Sequence, residues 1–271
     1  AAYAVLAYQT AYLKAHFPAA FMAAVMSADL DNTDRLVTLK DDCRKQGLRL
    51  LAPSVNGSEY AFSVADDQTI LYGLGALKGV GRSVVDAIVA EREASGPYTN
   101  LTEFCRRVGH DRINRRAIEA MVKAGAMGDF GLSRRALMEQ VPEALASADQ
   151  AARAAAAGQN DMFGLEAPPP VEDAPVAVDL PEWPEQEFLR YEKEALGLYL
   201  TGHPFDAVRR DAMAFVDGKL SDLLAEPPPQ SSRGERNYAQ SQREVTVAGL
   251  VADMRKRGNR VSVVLDDDTG R

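Results

Sequence analysis

Leu74-Gly75-Ala76-Leu77-Lys78-Gly79-Val80-Gly81-Arg82-Ser83, running on into Val84, Val85 and Ile88, is the stretch that decides the fold. An apolar pair precedes a Gly-Val-Gly turn, and a new apolar period of i, i+1, i+4 and i+5 follows it. That pattern predicts a helix-hairpin-helix. Glycines let a backbone approach an anion closely, and the unpaired N–H groups at the start of the second helix, around Lys78, Gly79, Val80, Gly81, Arg82 and Ser83, suit a phosphate oxygen. Nothing in the arrangement reads a base. A Gly-x-Gly turn also serves as a plain corner between helices, so the turn alone leaves that reading open. Other phosphate loops fit worse: there is no Gly-x-x-x-x-Gly-Lys-Ser/Thr, and Gly73-x-Gly75 lacks the third glycine of a dinucleotide fingerprint.

Charge is spread unevenly along the 271 residues. The net charge is −8, but residues 70–135 carry 11 Lys/Arg against 7 Asp/Glu, whereas 157–226 carry 5 against 15. The basic part holds the hairpin, which suits one segment near phosphates and another engaged elsewhere. An apolar content of 46% is that of a globular chain with room for two or three small domains. No apolar run reaches the roughly 18–20 residues of a membrane span. Cys43 and Cys105 are far apart, and His16, His110 and His203 are scattered, so neither set has metal-ligand spacing and the thiols suit a reducing cytoplasm. The first residues have no Met and no basic leader and read as a helix entered mid-pattern, which is how a fragment begins.

Working outward, Leu6, Tyr12-Leu13, Phe17, Phe21-Met22 and Val25 predict a helical pair with a packed face between Ala4 and Met26, with Pro18 starting the second helix. Asp31-Asn32-Thr33-Asp34 caps a helix from Arg35 to Gln46 that Gly47 ends. Leu48–Leu51, Tyr60–Val64 and Thr69–Tyr72 read as short extended pieces. Beyond the hairpin, Leu101–Arg107 is a short helix, and Arg112-Ile113-Asn114-Arg115-Arg116 opens another that ends at Gly125. Those arginines fit either a phosphate backbone or a solvated helix face. Val141–Ala157 is an alanine-rich helix. Then an exposed Met162-Phe163 pair stands in a polar stretch before the proline-rich segment 168–184, and such a pair calls for a partner to cover it. Trp183–Lys193 is an acidic helix, Pro227–Gln242 a polar linker. Val245–Val251 and Val261–Leu265 alternate about a basic turn at Arg255–Arg260, as in a β-hairpin. Asp266-Asp267-Asp268 reads as surface carboxylates, and His203 before Pro204 as a turn residue without nucleophile or carboxylate partners at helpful spacing.

Ala-Tyr-Ala at 2–4, Tyr-Gln-Thr at 8–10, Leu-Lys-Ala-His-Phe-Pro at 13–18, Phe-Met-Ala-Ala-Val-Met at 21–26, Gly-Leu-Gly-Ala-Leu-Lys-Gly-Val-Gly at 73–81 and the run from Glu192 to Pro204 closely resemble the alpha subunits of bacterial DNA polymerase III, the C-family replicases. The resemblance covers the whole chain. It implies a mainly α fragment: the C-terminal part of the fingers at 1–69, a tandem helix-hairpin-helix and clamp-binding domain at 70–165, an acidic Pro-rich linker with a helical segment at 166–242, and the truncated start of an OB-fold at 243–271. It implies that Arg112, Asn114, Arg115 and Arg116 belong to a second, degenerate hairpin. It also identifies Gln159-x-Asp161-Met162-Phe163 as a sliding-clamp motif, the Gln amide entering a polar subsite and the Met-Phe pair an apolar pocket.

The activity so implied is template-directed DNA synthesis by the full-length cytoplasmic bacterial enzyme, with Mg²⁺ held by palm aspartates upstream of this sequence. The fragment itself is then inactive and needs no cofactor. Its partners are primer-template duplex, the sliding clamp (beta subunit) and other holoenzyme subunits, with no membrane. Two alternatives remain: the error-prone paralogue of the same family, acting in lesion bypass, and a non-catalytic DNA-binding adaptor that reuses a hairpin pair.

Overall fold

The structure is a computed structural model that describes residues 2–109, 111–156, 180–225 and 244–270. The chain forms two compact units, Ala1–Leu200 and Thr201–Arg271. The architecture is mainly helical, as the sequence predicts.

In the first unit, α1 (Ala2–His16) and α2 (Pro18–Ala28) meet at Phe17, with Pro18 in the first helical position, where its missing N–H costs nothing. The expected packed face is found on α2 alone, through Ala19, Met22, Ala23 and Met26. On α1, Leu6, Tyr12 and Leu13 are exposed. Its apolar residues are spread around the helix instead of gathered in one stripe, so no single face turns to the core. α3 (Thr33–Lys45) begins two residues before the expected start, because Asn32 caps it by accepting from the Arg35 amide at 3.1 Å; Gly47 follows in the left-handed region at φ 75°.

One small sheet of order β1-β3-β2 takes up the extended pieces, the second of them three residues later than the expected start at Tyr60. β1 (Arg49–Leu51) runs parallel to β3 (Thr69–Leu71), and β2 (Ser63–Asp66) runs antiparallel to it. The sheet leads directly into a 3-10 turn at Leu74–Ala76, then a tight loop, then α4 (Arg82–Ser95). The first helix of the hairpin is therefore a single 3-10 turn. Gly73 and Gly75 explain the rest of the motif's spacing: a Cβ on either would come within 2.6–2.7 Å of backbone atoms of Tyr60 or Ala61. They serve close packing, with the Leu74 and Gly75 amides donating to the Glu59 and Tyr60 carbonyls.

α5 (Leu101–Val108) and α6 (Arg115–Ala124) flank the loop expected to form the second hairpin, and α7 (Arg134–Ala156) packs against both. α7 starts seven residues before the expected Val141 and carries Pro142 within it. α8 (Glu185–Leu196) lies against α6. One core joins Met26, Leu36, Ile70, Tyr72, Leu74, Ile88, Phe104, Ile118 and Leu196. It takes side chains from both sides of residue 69.

The second unit holds α9 (Asp206–Ala212), α10 (Leu220–Ala225) and a hairpin of β4 (Leu250–Arg257) and β5 (Arg260–Asp266). Its turn is only Gly258-Asn259, Gly258 supplying positive φ, so Arg255–Arg257 lie in a strand and Val245–Gly249 precede it. Asp266 and Asp267 correct the expectation of surface carboxylates, since both are buried. Asp267 accepts from the amides of Leu220, Thr269 and Gly270 and from the Thr269 hydroxyl, which closes the turn after β5. Burial pushes its pKa up, but these hydrogen bonds outweigh that and hold the carboxyl below its usual value. His203 is likewise buried; its Nδ1 accepts from the Phe205 amide and its Nε2 lies 3.4 Å from Asp266.

Candidate nucleic-acid interface

The loop between the 3-10 turn and α4 is built to hold amides outward. Gly79 sits at φ 86°, a conformation that side-chain-bearing residues resist, and a Cβ at Gly79 or Gly81 would meet nothing within 4 Å. The tip is therefore open. The Lys78 amide is anchored to the Ala195 carbonyl at 3.0 Å and the Val80 amide to the Leu77 carbonyl at 3.2 Å. The amides of Gly79, Gly81, Arg82 and Ser83 have no partner among the described residues. They form a group of donors at a helix start, where the aligned peptide dipoles favour an anion.

Two of the residues singled out differ in what they offer. Val80 is buried, so its side chain belongs to the core and its amide is already used. Arg82 is exposed but leans back: its guanidinium lies 4.7 Å from the centre of the Tyr60 ring and 3.7 Å from Asp86, one turn along α4.

In the second hairpin the helix begins at Arg115, not at Arg112. Asn114 is its cap, its side-chain oxygen accepting from the Ala117 amide at 2.9 Å, so that oxygen is committed to the helix. Ile113 is buried in front of it. Arg112, Arg115 and Arg116 are exposed, and Arg115 pairs with Glu119 at 2.7 Å. Arg134 is a structural residue: it lies against the Phe188 ring, donates to the Lys123 carbonyl and sits 3.6 Å from buried Glu192.

The fold brings the two hairpins to one cleft of about 580 Å³, lined by Lys78 and Gly79 from the first, Arg115, Arg116 and Glu119 from the second, and by Lys123 and Glu194. Sequence reading missed Lys123, because a lone lysine at the end of α6 carries no signal until α8 is packed beside it. It missed Arg107 too. That guanidinium bonds to Glu91, Glu103 and the carbonyls of Glu91, Gly96 and Pro97 and covers the Tyr98 ring, tying the end of α4 to α5.

Gln159, Asp161, Met162 and Phe163 lie outside the described residues. Among those described, no three His, Cys, Asp or Glu side chains are grouped to hold a metal ion, and the Asp267 oxygens are taken by the Leu220 amide and by the Thr269 and Gly270 amides of its own turn. The donor set here does not fit Mg²⁺. No described helix is long and apolar enough to cross a membrane.

Known proteins are similar to this chain in sequence. A helix-hairpin-helix motif family matches residues 47–137. The DNA polymerase III alpha subunit of Xylella fastidiosa (strain Temecula1) is 44% identical over all of this chain, that of Escherichia coli K12 43%, and that of Pseudomonas aeruginosa 40%. The chain spans only 23–24% of the length of these relatives. Over all of its 271 residues the chain thus matches one stretch of bacterial DNA polymerase III alpha subunits, and within that stretch it carries the helix-hairpin-helix motif.

Proposed function

We propose that the chain is the duplex-gripping and clamp-tethering part of a bacterial replicative polymerase, the alpha subunit of DNA polymerase III. The observation that carries this reading is the convergence of two hairpins on one cationic cleft, in a chain similar along its whole length to those subunits. Outward amides at Gly79, Gly81, Arg82 and Ser83 and cations at Lys78, Arg112, Arg115 and Arg116 hold phosphates without reading sequence. The whole protein adds deoxynucleotides to a primer end on a template, in the bacterial cytoplasm and with the other holoenzyme subunits. Its Mg²⁺ chemistry belongs to carboxylates other than those described here. Gln159, Asp161, Met162 and Phe163 dock on the sliding clamp.

Fluorescence anisotropy of the chain with labelled duplexes tests the grip. Binding is expected to be independent of sequence and to weaken with salt, and Lys78→Ala or Arg116→Ala each to flatten the log–log salt slope by about 0.9, the contribution of one phosphate. No binding at low salt, or slopes that the variants leave unchanged, would sink the assignment.

A further inference from the structure

The cleft holds four cations, and they are not equivalent. Lys78 and Arg116 have no ion-pair partner among the described residues, whereas Arg115 is paired with Glu119 but stays largely exposed, and Lys123 is paired with Glu194. The Arg115 pair spans one turn of a single helix, which any exposed helix makes. The Lys123 pair is different in kind. Its partners are 71 residues apart, and the fold joins them at 2.8 Å by laying α8 against α6. The Lys123 side chain is 19% exposed, its ammonium 5.0 Å from the centre of the Tyr191 ring, whereas Glu194 is 59% exposed. The carboxylate is thus the more exposed partner of the pair. A phosphodiester that took its place on Lys123 would have to displace it.

We propose that Glu194 is an affinity-limiting residue of the DNA grip: it occupies Lys123 as a phosphate would, repels the backbone phosphate at that point, and keeps the cleft one contact short of what its cations allow. This rests on the duplex-gripping reading above. The physical logic is that each neutralised phosphate adds affinity and salt dependence, whatever the base sequence. A module that must hold duplex while the duplex moves through it gains from a grip whose strength is capped. A like charge set at the contact caps it without removing the cation that orients α8, and like charges brought together across an interface raise the cost of association.

The test is the salt dependence of binding to a labelled mixed-sequence duplex by the 271-residue chain, from about 50 to about 200 mM salt. Glu194→Gln is expected to bind about 3- to 10-fold tighter at the low end and to steepen the slope by about 0.9, as one phosphate is gained. Glu194→Asp, which keeps the charge, should stay at the wild-type slope. Lys123→Gln combined with Glu194→Gln should lose the steepening, because the gain runs through the freed ammonium. Thermal melting of each variant reports whether the fold is kept. An unchanged or weaker grip in a folded Glu194→Gln, or an equal gain in the double variant, overturns the inference while wild-type binding leaves the duplex-gripping role standing. A wild-type chain that binds no duplex overturns both.

Discussion

Arg107 shows how much one side chain can hold. It donates five hydrogen bonds to α4, the loop after it and α5, with only 13% of its side chain exposed. Arg107→Ala leaves two glutamates and three carbonyls to find water in a crowded corner. Bonds to charged groups contribute about 1.5–3 kcal/mol each, though not additively, so a net loss of about 2–4 kcal/mol is expected in chemical denaturation. Arg107→Lys should recover only part, since an ammonium cannot reproduce the planar fork. Asp267 makes the second prediction. Its pKa is depressed in the folded chain, so its contribution is fully present above the unfolded value of about 3.9 and is lost as pH falls through the folded one. Protection of the Thr269 and Gly270 amides, taken against the intrinsic exchange rate at each pH, should fall in that acid window, and Asp267→Asn should show low protection already at neutral pH with little further change on acidification. The thiols are quiet by contrast: burial pushes Cys43 up to about 11 and Cys105 up to about 12, leaving little thiolate at neutral pH.

At the scale of elements, α6 is the one whose start decides a site. Asn114→Ala removes its cap and should cost about 0.5–2 kcal/mol, whereas Asn114→Ser should keep most of the stability. If Asn114 acts only as a cap, duplex affinity will follow helix stability across the two variants; affinity lost equally in both would mean that the carboxamide touches DNA. The sequence announced α6 through Ile118, Met121 and Val122, and α4 through Val84, Val85 and Ile88, because each helix buries one clean stripe. It misread α1 for the complementary reason. Leu6, Tyr12 and Leu13 recur at helical spacing, but the other apolar residues of α1 spread around the helix, so no single stripe gathers and all three stay exposed. Asp266 and Asp267 were misread because a run of three carboxylates looks solvated until a turn folds its own amides onto one of them. The tight loop itself is legible in Gly79 and Gly81, yet the cleft is not, since Lys123 and Glu194 come from helices that meet only in the tertiary structure.

For the whole molecule, charge and similarity point the same way. The basic segment carries the hairpins, and the acidic one begins at the Gln159-x-x-Met162-Phe163 stretch. Calorimetric titration with the sliding clamp should show binding that disappears when Gln159, Met162 and Phe163 are all changed to Ala, while duplex affinity is unaffected. Loss of duplex binding in the same variant would mean that the two functions are not separate. A tether of this sort raises the local concentration of the gripping surface at the primer end without adding a contact to DNA. The hydrogen bond from the Lys78 amide to the Ala195 carbonyl bears on how such a chain comes into being. The Lys78–Gly81 loop is written early, but the peptide group that sets it is written more than a hundred residues later. During synthesis the loop therefore emerges without its anchor, and its amides are not fixed in place until α8 has followed it out.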